Sequence, residues 1–125
     1  MSRLLLDTHV FLWWMGDIHL SKTVRELIAD PDNDVAVSAA SVWEIAIKKA
    51  LNKLSAPDDV DEQVVLEGFT PLPITARHAA RAGALPRHHD DPFDRMLVAQ
   101  AQVEDLTLVT AGGRFSAYDV RLHSV

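Results

Sequence analysis

The sequence predicts an α/β fold in which helices cover both faces of a mainly parallel sheet. Three observations point to this fold. Short apolar segments alternate with helical patterns along the chain, the apolar segments are continuous, and the connections between elements are short. Continuous apolar strands indicate burial on both faces, as occurs when crossover helices cover a parallel sheet. We expect one domain over residues 1–125, without repeats or linkers.

Strands and helices are expected in alternation. The expected strands are continuous apolar or valine-rich segments: Leu4–Leu6, Asp34–Ala39, an extended stretch over residues 69–74, Leu106–Thr110 and residues 120–122. The expected helices are segments in which apolar residues recur every three or four positions: residues 10–15 (a short helix or a turn), 22–30, 42–51, 60–68, 76–85 and 92–104.

Capping residues and prolines set the boundaries of these elements. Three residues are expected to be helix N-caps: Ser21, Ser41 and Thr75. Pro31 ends the first capped helix, because proline cannot continue a helical hydrogen-bond pattern. Asp91 followed by Pro92 is a favourable start for the helix over residues 92–104. Each proline within residues 69–74 biases the residue before it toward extended geometry.

The composition excludes several classes of function. Of the 125 residues, 48% are hydrophobic and none is cysteine, so disulfides, thiolate zinc sites and cysteine nucleophiles are excluded. The formal net charge of −6 argues against a generic nucleic-acid coat protein, which would be basic. It does not argue against a nuclease whose acids are gathered in one site and neutralised by divalent cations.

The N-terminal segment does not resemble a signal peptide. Asp7 and His9 interrupt it after only three leucines, and no apolar segment of the chain is long enough to span a bilayer. We therefore expect a soluble, cytoplasmic protein without a membrane partner.

Four acidic residues fall where a ligand site is expected. In open α/β sheets, ligands bind beyond the carboxyl ends of the strands. Asp7 follows the first strand, and Glu44 lies in the first turn of the helix after the second strand. Asp91 and Asp94 begin the helix that precedes the Leu106–Thr110 strand. These distant segments deliver acids to one edge of the sheet if the strand order brings them together.

Each of these acids also has a purely structural interpretation. Asp7 fits an Asx-turn with the two residues that follow it. Ser41 and Glu44 fit a capping box, which is the favoured interpretation of Glu44 taken alone. Asp91 fits an N-cap, and Asp94 gains from the helix dipole. Capping explains Asp91 well and Asp94 only in part.

The four acids together are harder to explain by capping. Two carboxylates about 4 Å apart repel each other by about 4 kcal/mol at an effective dielectric constant of about 20. Mg²⁺ or Mn²⁺ removes this repulsion, because hard cations take oxygen ligands and keep waters for substrate phosphates. The absence of cysteine and of a helical pair of zinc-binding histidines favours these ions over zinc.

Four segments, in order and over nearly the whole chain, resemble the PIN-domain ribonuclease toxins called VapC. They are LLLDTHVFLWW, SAASVWEIAIKKALNKL, LPITARHAARAGALPRHHDDPFDRMLVAQAQ and LTLVTAGGRFSAYDV. A lone pair of aspartates three residues apart would be weak support. The order of these four blocks is specific.

The resemblance implies a three-layer α/β/α fold and Mg²⁺- or Mn²⁺-dependent cleavage of RNA, commonly tRNA or rRNA. It also implies a homodimer and inhibition by a cognate VapB- or Phd-like antitoxin. Carried over by position, the catalytic and metal-binding acids are Asp7, Glu44 and Asp94, and Asp91 is an additional metal ligand. The implied reaction is metal-assisted hydrolysis of a phosphodiester without a covalent intermediate.

The chain departs from the family pattern at Gly112, where relatives usually carry a fourth acid. This departure predicts weaker metal binding and lower turnover. It also leaves an alternative open: a degenerate PIN domain that binds RNA or its antitoxin without cutting.

Polar residues beside the acids are candidates for RNA contacts. Arg87 and Arg95 flank the acids directly, and Lys48 and Thr110 lie near them. A solvated helix surface explains Lys48, and a capping hydroxyl explains Thr110, equally well. Trp13, Trp14 and Trp43 are more typical of a core or an interface than of base stacking.

A phosphoryl-transfer enzyme with a nucleophilic aspartate is a third interpretation. Such enzymes typically carry a second aspartate two residues after the first, where this chain has His9. The chain also lacks a phosphate-binding glycine loop after the first strand. The sequence therefore disfavours this interpretation.

Overall fold

The computed structural model describes all 125 residues. It contains a five-stranded sheet in the order β3-β2-β1-β4-β5. The strands are β1 (Arg3–Leu6), β2 (Asp34–Ser38), β3 (Thr70–Leu72), β4 (Thr107–Thr110) and β5 (Leu122–Ser124). The helices are α1 (Thr8–Gly16), α2 (Lys22–Ala29), α3 (Ala39–Ala50), α4 (Val60–Leu66), α5 (Ala76–Ala84) and α6 (Pro92–Glu104).

Every strand pair in the sheet is parallel, which confirms the predicted α/β class. β1 is the central strand and pairs with β2 on one side and β4 on the other. The order of the strands reverses between β1 and β4, so their carboxyl ends flank the crevice where ligands bind in folds of this kind. Leu6 pairs with Val109 at this point, and the next residues of the two strands lead into the crevice.

Two hydrophobic clusters lie on opposite faces of the sheet and produce the three layers. Leu4 and Leu6 belong to one cluster, together with residues of α1, α2, α3 and α4. Leu5 belongs to the other cluster, together with residues of α6 and the buried side chain of Phe115. Successive residues of a strand point to opposite faces, so a continuous apolar strand is required to fill both clusters.

The N-terminus of α3 differs from the prediction. The helix begins at Ala39, and its N-cap is Ser38, whose hydroxyl accepts a hydrogen bond from the Ala40 amide at 3.0 Å. The predicted capping box of Ser41 and Glu44 is therefore wrong. Ser41 lies inside the helix, and its hydroxyl accepts a hydrogen bond from that of Thr8 at 2.9 Å.

The other predicted N-caps are confirmed. Ser21, Thr75 and Asp91 each accept a hydrogen bond from a backbone amide in the first turn of their helix. His78 completes a capping box at α5, because its ring nitrogen Nδ1 accepts from the Thr75 amide at 3.1 Å. The last strand lies two residues later than predicted, at Leu122–Ser124, where it pairs with β4. None of the helices combines the length and apolar character needed to cross a lipid bilayer.

Candidate active site

Asp7 is a buried carboxylate at the carboxyl end of the central strand. Its side chain is 1% exposed and caps α1, where Oδ1 accepts hydrogen bonds from the amides of His9 at 2.7 Å and Val10 at 3.4 Å. Its Oδ2 accepts from the hydroxyl of Thr110 at 2.5 Å and from Nη2 of Arg114 at 2.8 Å. The carboxylate is thus held by donors from three segments of the chain. Asp7 can therefore form the predicted turn with the residues that follow it and also take part in a site.

Glu44 reaches the site from the middle of α3, where no capping role remains for it. It is 4% exposed, and its Oε2 accepts a hydrogen bond from Nζ of Lys48 at 2.6 Å. The two residues are one helical turn apart, at the spacing where an acid followed by a base is favourable. Glu44 is therefore a buried acid with one internal counter-ion.

Asp94 lies in the first turn of α6, three residues after the N-cap Asp91. Asp91 accepts hydrogen bonds from the amides of Phe93 at 2.9 Å and Asp94 at 3.1 Å. The Asp94 side chain is 12% exposed and lies 3.2 Å from Nε of Arg114. Asp91 is thus a structural cap whose charge also faces the site, as the sequence predicts.

Arg114 connects two of the predicted acids. Its Nη2 contacts Asp7 and its Nε contacts Asp94, so one guanidinium joins the carboxyl end of β1 to the start of α6. Arg114 is not among the site residues predicted from the sequence. Its position in the sequence could have indicated it, because Arg114 closely follows the end of β4, at the edge of the sheet where Asp7 lies.

The pKa of Asp94 responds to the other three acids. Burial raises the pKa of Asp94 to about 6, even though the Arg114 guanidinium beside it acts in the opposite direction. The negative charges of Asp91, Asp7 and Glu44 raise it further. Acids from the start and the middle of the chain therefore lie near enough to Asp94, in the last third, to affect its charge.

The donor set fits a hard divalent cation in its chemistry. Every acidic group of the site offers carboxylate oxygens, which Mg²⁺ and Mn²⁺ prefer. The chain has no cysteine, and the histidine beside these acids is the half-exposed His9, whose ring Nδ1 lies 4.0 Å from Oδ1 of Asp7. No three acidic or histidine side chains are close enough to hold one ion together as they stand. The Arg114 guanidinium occupies the space between Asp7 and Asp94 instead.

Comparisons with known proteins identify the family of the chain. A family model for the PIN domain matches residues 4–121. The chain is 34% identical to the ribonuclease VapC22 of Mycobacterium tuberculosis, over 94% of this chain and 93% of that protein. The chain belongs to the VapC branch of the PIN-domain family.

Solved structures with the same fold include toxin–antitoxin complexes. The structure of VapBC2 from Rickettsia felis, bound to a DNA fragment, matches with a TM-score of 0.75 and 18% identity over 99% of both chains. FitAcB from Neisseria gonorrhoeae matches with a TM-score of 0.67 and 22% identity over 95% of both chains. At these identities the likeness shows the fold.

The predicted RNA contacts of this PIN domain divide into two groups. Thr110 and Lys48 lie in the site, where each donates a hydrogen bond to an acid. Arg95 donates instead to the backbone carbonyls of Ala82, Leu85 and Pro86, at 2.8 to 3.1 Å. Arg87 is exposed and pairs with Asp90 at 3.4 Å. The structure brings neither arginine into contact with the acids.

The tryptophans are placed differently from one another. Trp43 is 60% exposed and stands edge-on to Phe93, with ring centroids 5.3 Å apart. Trp14 packs against the core and donates from its indole nitrogen to Glu67 at 3.1 Å. Only Trp43 therefore presents most of its surface to solvent beside an acid of the site, since it directly precedes Glu44 in α3.

We expect Arg95→Met to destabilise this PIN domain, because three carbonyls at the end of α5 lose a charged donor. A loss of about 1 to 3 kcal/mol in the free energy of unfolding is expected from urea denaturation. Arg87→Met is the matched control and should change stability by less than about 0.5 kcal/mol. Unchanged stability of Arg95→Met with weakened RNA binding would instead support the predicted substrate contact.

We expect Asp94→Asn to stabilise the metal-free protein near pH 7. The pKa of Asp94 is raised from 3.8 to about 6 on folding. The unfolded chain thus binds fewer protons than the folded one between about pH 4 and 6, and stability falls as pH rises through this window. This change in the pKa of Asp94 lowers the free energy of unfolding by about 3 kcal/mol once the pH is above about 6.

Asparagine resembles the protonated acid, so the variant should unfold at a higher temperature than the wild type at pH 7.5 in EDTA. The difference should vanish at pH 4, where Asp94 is protonated in the folded wild type. Equal melting temperatures at pH 7.5 would show that Arg114 fully compensates the buried charge.

Proposed function

We propose that this PIN domain is the ribonuclease toxin of a VapBC-type toxin–antitoxin pair and hydrolyses RNA phosphodiester bonds with Mg²⁺ or Mn²⁺. The observation that carries the proposal is the group of buried acids, Asp7, Glu44 and Asp94, at the crevice between β1 and β4. Burial of three acids is costly and leaves Asp94 with a raised pKa. A stability requirement alone does not select such an arrangement, whereas a cation site does.

Asp7, Glu44 and Asp94 would hold the divalent ion, with Asp91 adding negative charge at its rim. When bound, the ion supplies charge stabilisation at the phosphate and a more acidic coordinated water. The chain itself fixes the ligands. The first turn of α1 and the hydroxyl of Thr110 orient the carboxylate of Asp7, and Lys48 orients that of Glu44. Such supporting hydrogen bonds tune a metal site as much as the ligands do.

The proposed substrate is structured cellular RNA, tRNA or rRNA, and the proposed partner is a VapB- or Phd-like antitoxin. The antitoxin is supported by structural neighbours that are toxin–antitoxin complexes, among them VapBC2 of Rickettsia felis and VapBC-5 of Mycobacterium tuberculosis. The family resemblance supports the substrate, a homodimer and a cytoplasmic location.

The alternative, a degenerate PIN domain without cleavage activity, is not favoured. Its support is Gly112, where the family's fourth acid is missing. The three remaining acids are all present and buried, and the charges of Asp7 and Glu44 help to raise the pKa of Asp94. The 34% identity to a ribonuclease over nearly the whole chain also favours an active enzyme.

We expect antitoxin-free protein to cleave total tRNA or rRNA in Mg²⁺ or Mn²⁺ and not in EDTA. Asp7→Asn and Glu44→Gln should lower the rate by at least about 100-fold, because each removes a proposed ligand. The measurement is the cleavage rate, followed by mapping of the RNA ends. Asp119→Asn, an exposed acid outside the site, is the matched control. Cleavage that persists in EDTA and in Asp7→Asn would overturn the proposal.

We expect Gly112→Asp to strengthen metal binding and to lower the stability of the metal-free protein. Gly112 has a φ of 80°, and a Cβ added there meets no atom within 4 Å. An aspartate therefore has room, but the left-handed backbone costs about 1 kcal/mol. Mn²⁺ titration and thermal unfolding in EDTA measure the two effects. If neither Mn²⁺ affinity nor cleavage rises, the missing fourth acid has no consequence for this chain.

A further inference from the structure

Arg114 uses the same carboxylate oxygens that a metal would need. Its Nη2 lies 2.8 Å from Oδ2 of Asp7, and its Nε lies 3.2 Å from Oδ2 of Asp94. A divalent ion held by Asp7 and Asp94 would need these carboxylate oxygens as its ligands. The guanidinium already fills the space between the two carboxylates, so the arginine and an ion cannot occupy it together.

Of the four donors to Asp7, Arg114 is the one that can leave. The amides of His9 and Val10 belong to the first turn of α1, and their loss would open the helix. Thr110 is fully buried at the end of β4. The Arg114 side chain is 36% exposed and extends from the irregular segment after β4, over the ring of Phe115. It can therefore move to solvent without unpacking a strand or a helix.

We propose that Arg114 is an internal counter-ion that competes with the divalent cation for Asp7 and Asp94. In the metal-free protein the guanidinium partly neutralises the two buried carboxylates and keeps the site closed. Binding of the cation requires that Arg114 leave, so this residue sets the metal affinity. The inference rests on the metal-dependent function proposed above.

The test is direct binding of Mn²⁺ alone to metal-free protein, by calorimetry or by electron paramagnetic resonance at constant salt. We expect Arg114→Met to bind Mn²⁺ roughly tenfold more tightly than the wild type, because one charge-assisted hydrogen bond is worth about that factor. The same variant should unfold at a lower temperature than the wild type in EDTA and gain more stability from added Mn²⁺.

Two further variants make the result specific. Arg87→Met removes one positive charge from an exposed pair, so it controls for the change in net charge. Arg114→Lys keeps the charge but lacks the planar guanidinium that reaches two carboxylates. Its Mn²⁺ affinity should lie between those of the wild type and Arg114→Met. It also provides the measurement if Arg114→Met does not fold.

The outcomes separate this inference from the proposed function. Wild-type protein that binds Mn²⁺, with Arg114 variants that bind it no more tightly, overturns the competition and leaves the proposed activity standing. Tighter binding in Arg87→Met to the same degree also overturns it, because the effect would then be general electrostatics. If neither the wild type nor the Arg114 variants bind Mn²⁺, the metal-dependent function fails and the inference fails with it.

Discussion

The arrangement of the site depends on the burial of Asp7 at the end of the central strand. Leu4, Leu5 and Leu6 are at most 2% exposed, and the acid that follows them is 1% exposed. A buried carboxylate is tolerated only if it is hydrogen-bonded and neutralised. The neighbouring elements meet this requirement: α1 begins where its amides reach Oδ1, and β4 ends beside β1 so that Thr110 reaches Oδ2. The pairing of β1 with β4 therefore also fixes the hydrogen bonds that hold Asp7 in the site.

Helix capping and the construction of the site are two consequences of the same topology. In a parallel sheet the carboxyl ends of the strands and the N-termini of the following helices lie at one edge. Asp7 and Asp91 cap α1 and α6 at this edge and direct negative charge toward the same crevice. The positive ends of the helix dipoles face it and stabilise those charges. Capping therefore does not compete with function as an explanation of these acids.

The fold and the acids could be predicted because both follow from local patterns. Continuous apolar strands indicated a sheet buried on both faces, and the acids followed strand ends or began helices. The start of α3 was missed because Ser38 and Ser41 are both favourable N-caps. The strand pairing decides between them: β2 ends at Ser38, so the helix begins at the next residue. The roles of Arg114 and Arg95 were missed for a different reason. Each contacts segments that are brought to it only by the folded topology.

The balance of charge at the site explains how the metal-free chain folds while keeping the acids that the proposed cation would need. Two internal cations, Arg114 and Lys48, are paired with three buried acids. The compensation is incomplete, because the pKa of Asp94 stays well above its ordinary value despite the adjacent guanidinium. Complete neutralisation would stabilise the metal-free protein but would also remove the negative potential on which the proposed cation site depends. The raised pKa of Asp94 thus reflects a cost in stability that is typical of functional sites.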